Sequence, residues 1–294
     1  MRSFEEILKL CDVDLEFYEA VMELESRESG KDFDSIYSFM ASMLDAMEQS
    51  VNSALNTEFK GRLMEDEARR FGKYISQTED LLSGKFIANA SHIALAVSQY
   101  NSNMGRIVAA PTAGSCGILP GLLFAYKNLY APSRDALVKA LIVAGGVGEV
   151  IQKRATLAGA EGGCQAECGA AAAMGSAALT YLKGGSAEAS AHAAALTIKS
   201  VMGLVCDSVA GLVEVPCIKR NGTLVALASI CADMALAGVR SVIPPDEVVD
   251  AMRQVGKALP ETLRETSKGG LAVTPKARAI EKNIFSQITP LTES

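Results

Sequence analysis

Three cysteines with unusual neighbours carry the strongest chemical signal in this 294-residue chain. They lie in Glu161-Gly162-Gly163-Cys164-Gln165, Gly203-Leu204-Val205-Cys206-Asp207 and Val215-Pro216-Cys217-Ile218. Glycine or proline beside a thiolate suits a bulky inorganic group, whose sulfurs need close backbone approach and amide donors. Their intervals, 42 and 11 residues with no Cys-x-x-Cys pair, match no standard zinc-ribbon or ferredoxin spacing. On residues alone, a shared metal site and three separately buried thiols both stay open. Cys168, four residues after Cys164, offers a rival pairing on one helix face, although the Ala-rich run that follows it favours a packed thiol. Cys11, Cys116 and Cys231 sit among small or apolar residues and read as small buried hydrophobes.

The elements that must position these thiols read as helices. Ile36, Met40, Met43, Leu44, Met47 and Val51 repeat on one helical face, a core stripe. Ser3 with Glu6 forms a capping box, and Ser133 ahead of Leu137, Leu141 and Ala144 opens another helix. Pro244-Pro245 with Asp246 and Glu247 predicts a helix over about residues 245–258, and Thr274-Pro275 starts a last one. Asn221-Gly222 is the lone hairpin signal. The expected fold is all-α: a single domain over 1–294, with an Ala/Gly-rich central bundle over about 104–240 and residues 1–83 as a peripheral helical layer. Small residues let its helix backbones approach closely.

Composition removes several classes of function. Half of the residues, 49%, are apolar and the net charge is −6 without a basic block, which argues against nucleic acid and against an anionic membrane. The uncharged stretch between Arg106 and Lys127 contains Pro111, Gly114, Gly117, Pro120 and Gly121. Five breakers suit a buried loop and turn better than a lipid-exposed helix. The acidic first thirty residues lack a cleavable apolar segment, so a cytoplasmic location with reduced thiols is expected. Gly145, Gly146 and Gly148 fit neither a Walker loop nor a dinucleotide fingerprint. His92 and His192, one hundred residues apart, make no zinc-protease motif.

Longer runs then carry a resemblance. Residues 159–167, GAEGGCQAE, and 206–221, CDSVAGLVEVPCIKRN, resemble the iron-sulfur-dependent L-serine dehydratase family. Arg106 through Pro120, with Ala110-Pro111-Thr112, and Gly269-Gly270-Leu271-Ala272 through Thr274-Pro275 extend the match over most of the chain. The resemblance implies a 4Fe-4S cluster held by three thiolates, Cys164, Cys206 and Cys217, with one iron open to the hydroxyl of L-serine. It implies conversion of L-serine to pyruvate and ammonia. Single-chain members carry a further domain with a Ser-His-Thr-x-Gly-Pro motif, and they can end in a cysteine that caps the open iron. Neither feature is found here, where the last residues are Leu291-Thr292-Glu293-Ser294. The chain therefore resembles the α chain of the two-chain bacterial type, with a β chain as expected partner and a homo-oligomer of the α chain as a further possibility.

Candidate bases on this chain are Lys153, Glu161 and Glu167, near Cys164 in sequence, and His92; burial can tune such groups toward neutrality. Thr112, in a Pro-Thr-x-Gly turn whose amides could face an anion, is the candidate for the serine carboxylate, ahead of Ser115 and Asn101. Lys219, Arg220 and Asn221 follow the third thiolate and could bond cluster or substrate, a solvated surface being the other reading. Catalytic roles are expected of Lys153, Glu161, Thr112 and Asn221. Two competing functions are a cluster-carrying redox or oxygen sensor and a pyridoxal-phosphate dehydratase. The second rests on Ser29-Gly30-Lys31 and Ser83-Gly84-Lys85, which lack the strand-flanked phosphate loop such an enzyme uses.

Overall fold

The computed structural model describes residues 3–288; the final Leu291–Ser294 stretch considered above lies outside them. In chain order the α-helices are α1 (Phe4–Cys11), α2 (Phe17–Ser29), α3 (Phe33–Asn56), α4 (Glu67–Gln77), α5 (Gly84–Ser102), α6 (Ile118–Tyr130) and α7 (Arg134–Arg154). They continue with α8 (Gly159–Gly162), α9 (Ala170–Leu182), α10 (Ala187–Val201), α11 (Cys217–Leu236), α12 (Pro245–Ala258) and α13 (Pro275–Ile288). Among the described residues no strand forms, and the fold is all-α; the one β-type pairing is an isolated bridge between Cys206 and Arg264.

Local chemistry sets the helix starts. Ser3, Ser133 and Ser186 each accept a hydrogen bond from the backbone N–H three residues on, capping α1, α7 and α10. α12 begins at Pro245, whose missing N–H costs nothing at a first helical position. Its Asp246 carboxylate accepts from the backbone N–H groups of Phe4 (2.9 Å) and Glu5 (3.0 Å), tying α1 to α12.

α9 is the axis of the bundle. Every residue from Ala170 to Thr180 is buried, and α6, α7, α10 and α11 pack around it. Alanine and glycine make this possible by letting backbones come close. At Gly121 of α6 a Cβ would stand 2.7 Å from the Ala90 carbonyl oxygen of α5, so any side chain there would drive the two helices apart. α2 and α3 lie on α7, and α4 on α5. Ile36, Leu44, Met47 and Val51 of the predicted stripe are buried in the same apolar cluster as the alanines of α9, with Met40 and Met43 packed against it.

One local expectation is corrected. The uncharged stretch from 107 to 126 is not loop throughout: α6 takes over at Ile118, with Pro120 in its first turn, where a missing N–H is tolerated. Asn221-Gly222 makes no hairpin but lies inside α11. Among the described residues no helix is long and apolar enough to cross a membrane.

Candidate functional site

The three predicted thiols stand on three different pieces of irregular or helix-initial backbone. Cys164 follows α8 through Gly163, whose φ of 74° lies in the left-handed region; a Cβ at Gly163 would also stand 2.9 Å from the Leu204 carbonyl oxygen. Glycine is thus required both for the turn and for the approach of the next segment. Residues 165–169 then form one wide π turn that runs straight into α9, a distortion that recurs at functional positions in helices.

Gln165 ties this turn to its surroundings. Its backbone N–H donates to Leu204 O (3.0 Å), its side-chain Oε1 accepts from Gly203 N (2.9 Å), and its Nε2 donates to Met252 O of α12 (3.0 Å). Cys206 sits on the loop so anchored and is clipped from its other side: its N–H donates to Leu263 O (2.9 Å), and its carbonyl accepts from Glu265 N (3.0 Å). Cys217 is the first residue of α11. The turn before it is held by Glu214, buried, whose carboxylate accepts from Arg62 N (3.0 Å) and Leu63 N (2.9 Å).

Cys164, Cys168, Cys206 and Cys217 are all at most 9% exposed, and Cys164 lies within electrostatic range of Cys206 and Cys217. Burial raises the Cys206 thiol well above its ordinary value and pushes Cys217 up to about 12. Cys164 is lowered instead, first by a hydrogen bond from the Cys168 thiol and then by the charge of Arg220. Arg220 is fixed beside it by donating to Val205 O and to Asp207 Oδ1, both at 2.8 Å. Asp207, buried, also accepts from Leu271 N (2.8 Å), which brings the glycine-rich 269–271 segment to the same loop. Among the described residues no three His, Cys, Asp or Glu side chains are gathered closely enough to hold one metal ion. A single zinc would draw all its ligands to about 2.0–2.3 Å from one point, whereas an iron-sulfur cluster spreads its thiolates over separate irons. Soft sulfur donors on separate anchors, with the Arg220 guanidinium nearby, fit the second arrangement.

The proposed catalytic residues fall into two groups. Thr112 begins the short turn 113–115, and its Oγ1 donates to Glu167 Oε1 at 2.9 Å. Glu167 projects from the π turn between Gly114 and Gly159; a Cβ at Gly159 would lie 2.5 Å from its carboxylate. Its pKa is raised, chiefly by burial and further by Glu265, while the Thr112 hydroxyl opposes the shift. Ser115, buried, lies 3.2 Å from the Thr112 hydroxyl, and Asn101 Nδ2 donates to Ala113 O (3.1 Å).

Asn221 is wholly buried: Oδ1 accepts from Gly117 N (3.0 Å), and Nδ2 donates to Gly114 O (2.8 Å) and Cys217 O (3.0 Å). It joins the 112–117 turn to the start of α11, so its amide is committed to protein partners.

Lys153 and Glu161 face elsewhere. Lys153, 42% exposed at the end of α7, pairs with Glu28 (2.8 Å) and Glu149 (3.4 Å). Its hydrogen bond to Glu28 and the charges of Glu149 and Glu28 raise its pKa, the wrong direction for a neutral base. Glu161, exposed, accepts from Thr156 Oγ1 (2.7 Å). His92 packs against Gly72 of α4, its pKa lowered by burial, and His192 accepts from Ser241 N (3.2 Å). Lys219 pairs with Glu67 at 3.3 Å. Proximity to Cys164 in sequence did not separate Glu167 from Glu161. The signal that does is the wide turn, which aims the first inward.

The Serine dehydratase alpha chain family matches residues 12–272. The L-serine dehydratase alpha chain of Peptoniphilus asaccharolyticus is 41% identical over 98% of this chain and 99% of its own length. The probable L-serine dehydratase alpha chain of Bacillus subtilis is 46% identical over 90% of this chain and 87% of its own. An L-serine dehydratase of Streptomyces coelicolor is 40% identical over 61% of this chain but only 40% of its own length. With the family match and full-length relatives in agreement, the chain belongs to the serine dehydratase alpha chain family.

Proposed function

We propose that this chain is the α subunit of a cytoplasmic, two-chain L-serine dehydratase, which converts L-serine to pyruvate and ammonia with a 4Fe-4S cluster on Cys164, Cys206 and Cys217. The observation that carries the reading is the convergence of those three buried thiols from separate segments in a chain of this family.

The cluster, when bound, supplies a Lewis acid for the departing β-hydroxyl, a poor leaving group at neutral pH. The chain's own residues do the rest. Glu167 takes the α-proton: burial raises its pKa, which makes it a stronger base than an exposed carboxylate, and the Thr112 hydroxyl orients the carboxylate that receives it. Loss of the α-proton and of the hydroxyl leaves aminoacrylate, whose tautomer reacts with water to give pyruvate and ammonia. Arg220 supplies fixed positive charge beside Cys164, and Asn221 holds the 112–117 turn against α11. A β chain completes the site.

The test is iron and acid-labile sulfide analysis of anaerobically prepared protein, followed by a pyruvate assay on L-serine after mixing with the candidate β chain. Cluster with turnover is the expected result. Cluster without turnover in the mixture would favour a sensor, and an aldimine absorbance band in place of a broad iron-sulfur shoulder would favour a pyridoxal enzyme.

A further inference from the structure

Two carboxylate oxygens converge on the bare Cα of Gly159. A Cβ at this position would stand 2.5 Å from Glu167 Oε2 and 3.1 Å from Glu265 Oε2. Gly159 opens α8 without a positive φ, so its backbone suits any residue, and what demands glycine there is the space between the two acids. Neither oxygen has a partner. The Thr112 hydroxyl bonds the other oxygen of Glu167, Oε1, and among the described residues the Glu265 carboxylate makes no hydrogen bond or ion pair.

Glu265 is held in place through its backbone. Its φ of 61° lies in the left-handed region, uncommon for a residue with a side chain and persistent only where the surroundings enforce it. They do so here: its N–H donates to Cys206 O (3.0 Å), and Ser267 Oγ donates to Ser208 O (2.7 Å). The loop that carries Cys206 therefore also fixes where this acid stands.

Like charges this close repel, and Glu265 is one of the causes that raise the Glu167 carboxyl. A cation between them removes the repulsion. Among the described residues no third His, Cys, Asp or Glu joins the pair closely enough to hold a metal ion, and a hard cation such as Ca²⁺ takes about six to eight oxygens. An ammonium group is compact and purely a donor, so two carboxylates suffice for it. L-serine brings one such group. Its carboxylate is repelled by this pair, and its hydroxyl goes to the cluster on the reading above.

We infer that Glu265, together with Glu167 Oε2, binds the α-ammonium of L-serine and so selects amino acids over hydroxy acids. The inference deepens the dehydratase reading above and rests on it. An ammonium held there brings the α-carbon beside the carboxylate that takes its proton.

Steady-state kinetics of the anaerobically assembled two-chain enzyme test this, with L-glycerate, in which a hydroxyl replaces the ammonium, as the competing ligand. Glu265→Gln keeps the shape and removes the charge. It is expected to raise KM for L-serine about 10- to 100-fold, the usual loss of a hydrogen bond to a charged group, with kcat within a few-fold and iron content unchanged. Inhibition by L-glycerate is expected to hold or tighten. Glu265→Asp, which keeps the charge and suits a left-handed backbone, is expected to recover part of the KM. An unchanged KM in Glu265→Gln overturns the inference, and so does equal weakening of L-serine and L-glycerate, the mark of a general disturbance of the site. Loss of iron from both variants overturns it too, by reducing Glu265 to a support of the Cys206 loop. A wild-type enzyme that does not turn over L-serine sinks the dehydratase reading itself, and the inference with it.

Discussion

α9 and the segment from 203 to 217 are built on opposite principles. α9 is eleven consecutive buried residues from Ala170 to Thr180, held by backbone hydrogen bonds within one helix and by close-packed small side chains. The 203–217 segment has almost no regular structure. It is held instead by individually placed bonds: Gln165 to Gly203, Leu263 and Glu265 to Cys206, Leu271 and Arg220 to Asp207, and Glu214 to Arg62 and Leu63. A helix offers a fixed, repeating set of side-chain directions. On the proposed cluster reading, three sulfur anchors meet one inorganic group from directions no single helix offers; two of them stand at a helix-initial position or at the entry of a distorted turn, and the third on a loop. The bundle supplies rigidity; the loop supplies aim.

The comparison can be broken first at the sulfurs. Cys206→Ser or Cys217→Ser is expected to abolish iron incorporation, whereas Cys231→Ser, in the small cluster with Ala193 and Ala235, leaves it nearly unchanged. Equal iron content in the three variants would falsify the ligand assignment. Glu167→Gln is expected to lower kcat by roughly 10²–10⁴, the usual contribution of a positioned acid or base, with Lys153→Gln and Glu161→Gln staying within a few-fold; steady-state pyruvate formation decides this. Asn221→Ala leaves Gly117 N–H and Gly114 O short of a buried partner and should cost about 1–3 kcal/mol in urea denaturation.

Metal-free protein sharpens the contrast further, because ligand binding and local order are linked. Amides of residues 204–221 are expected to exchange hydrogen faster than those of α9; equal protection would count against that linkage. The smallest effect is on pH. Because the folded pKa of Glu167 is raised above its ordinary carboxylate value, the protonated form is favoured by folding. Stability from this group is then complete below the unfolded pKa and is lost as pH rises through the folded one. Glu167→Gln is expected to flatten that decline in denaturation curves taken across the acid range, and an identical slope in the variant would remove Glu167 as its source.

Helix periodicity, caps and proline placement are local signals, which is why α3, α7 and α12 were legible in the sequence, α12 to the residue. α6 was obscured because prolines and glycines that mark loops elsewhere are here a first-turn proline and close-contact glycines. At the site, the glycine and proline neighbours and the family resemblance singled out three sulfurs that are buried and lie within electrostatic range of one another. The choice among carboxylates was not legible. Glu161 and Glu167 differ in the direction in which a short helix and a π turn point them, and that depends on Gly114 and Gly159 lying across from one another, contacts distant in sequence. Lys153 was drawn outward by Glu28, more than a hundred residues earlier in the chain, a pairing that no reading of its own neighbourhood contains.

The bridge between Cys206 and residues 263–265 has a consequence for engineering the chain. Whatever is inserted or deleted between α12 and α13 tugs on that sulfur before it disturbs the helical body. If the proposed cluster is bound, a tag or graft placed there is expected to give a protein that melts normally yet takes up iron badly, and heat resistance would be a misleading guide to whether such a variant is intact.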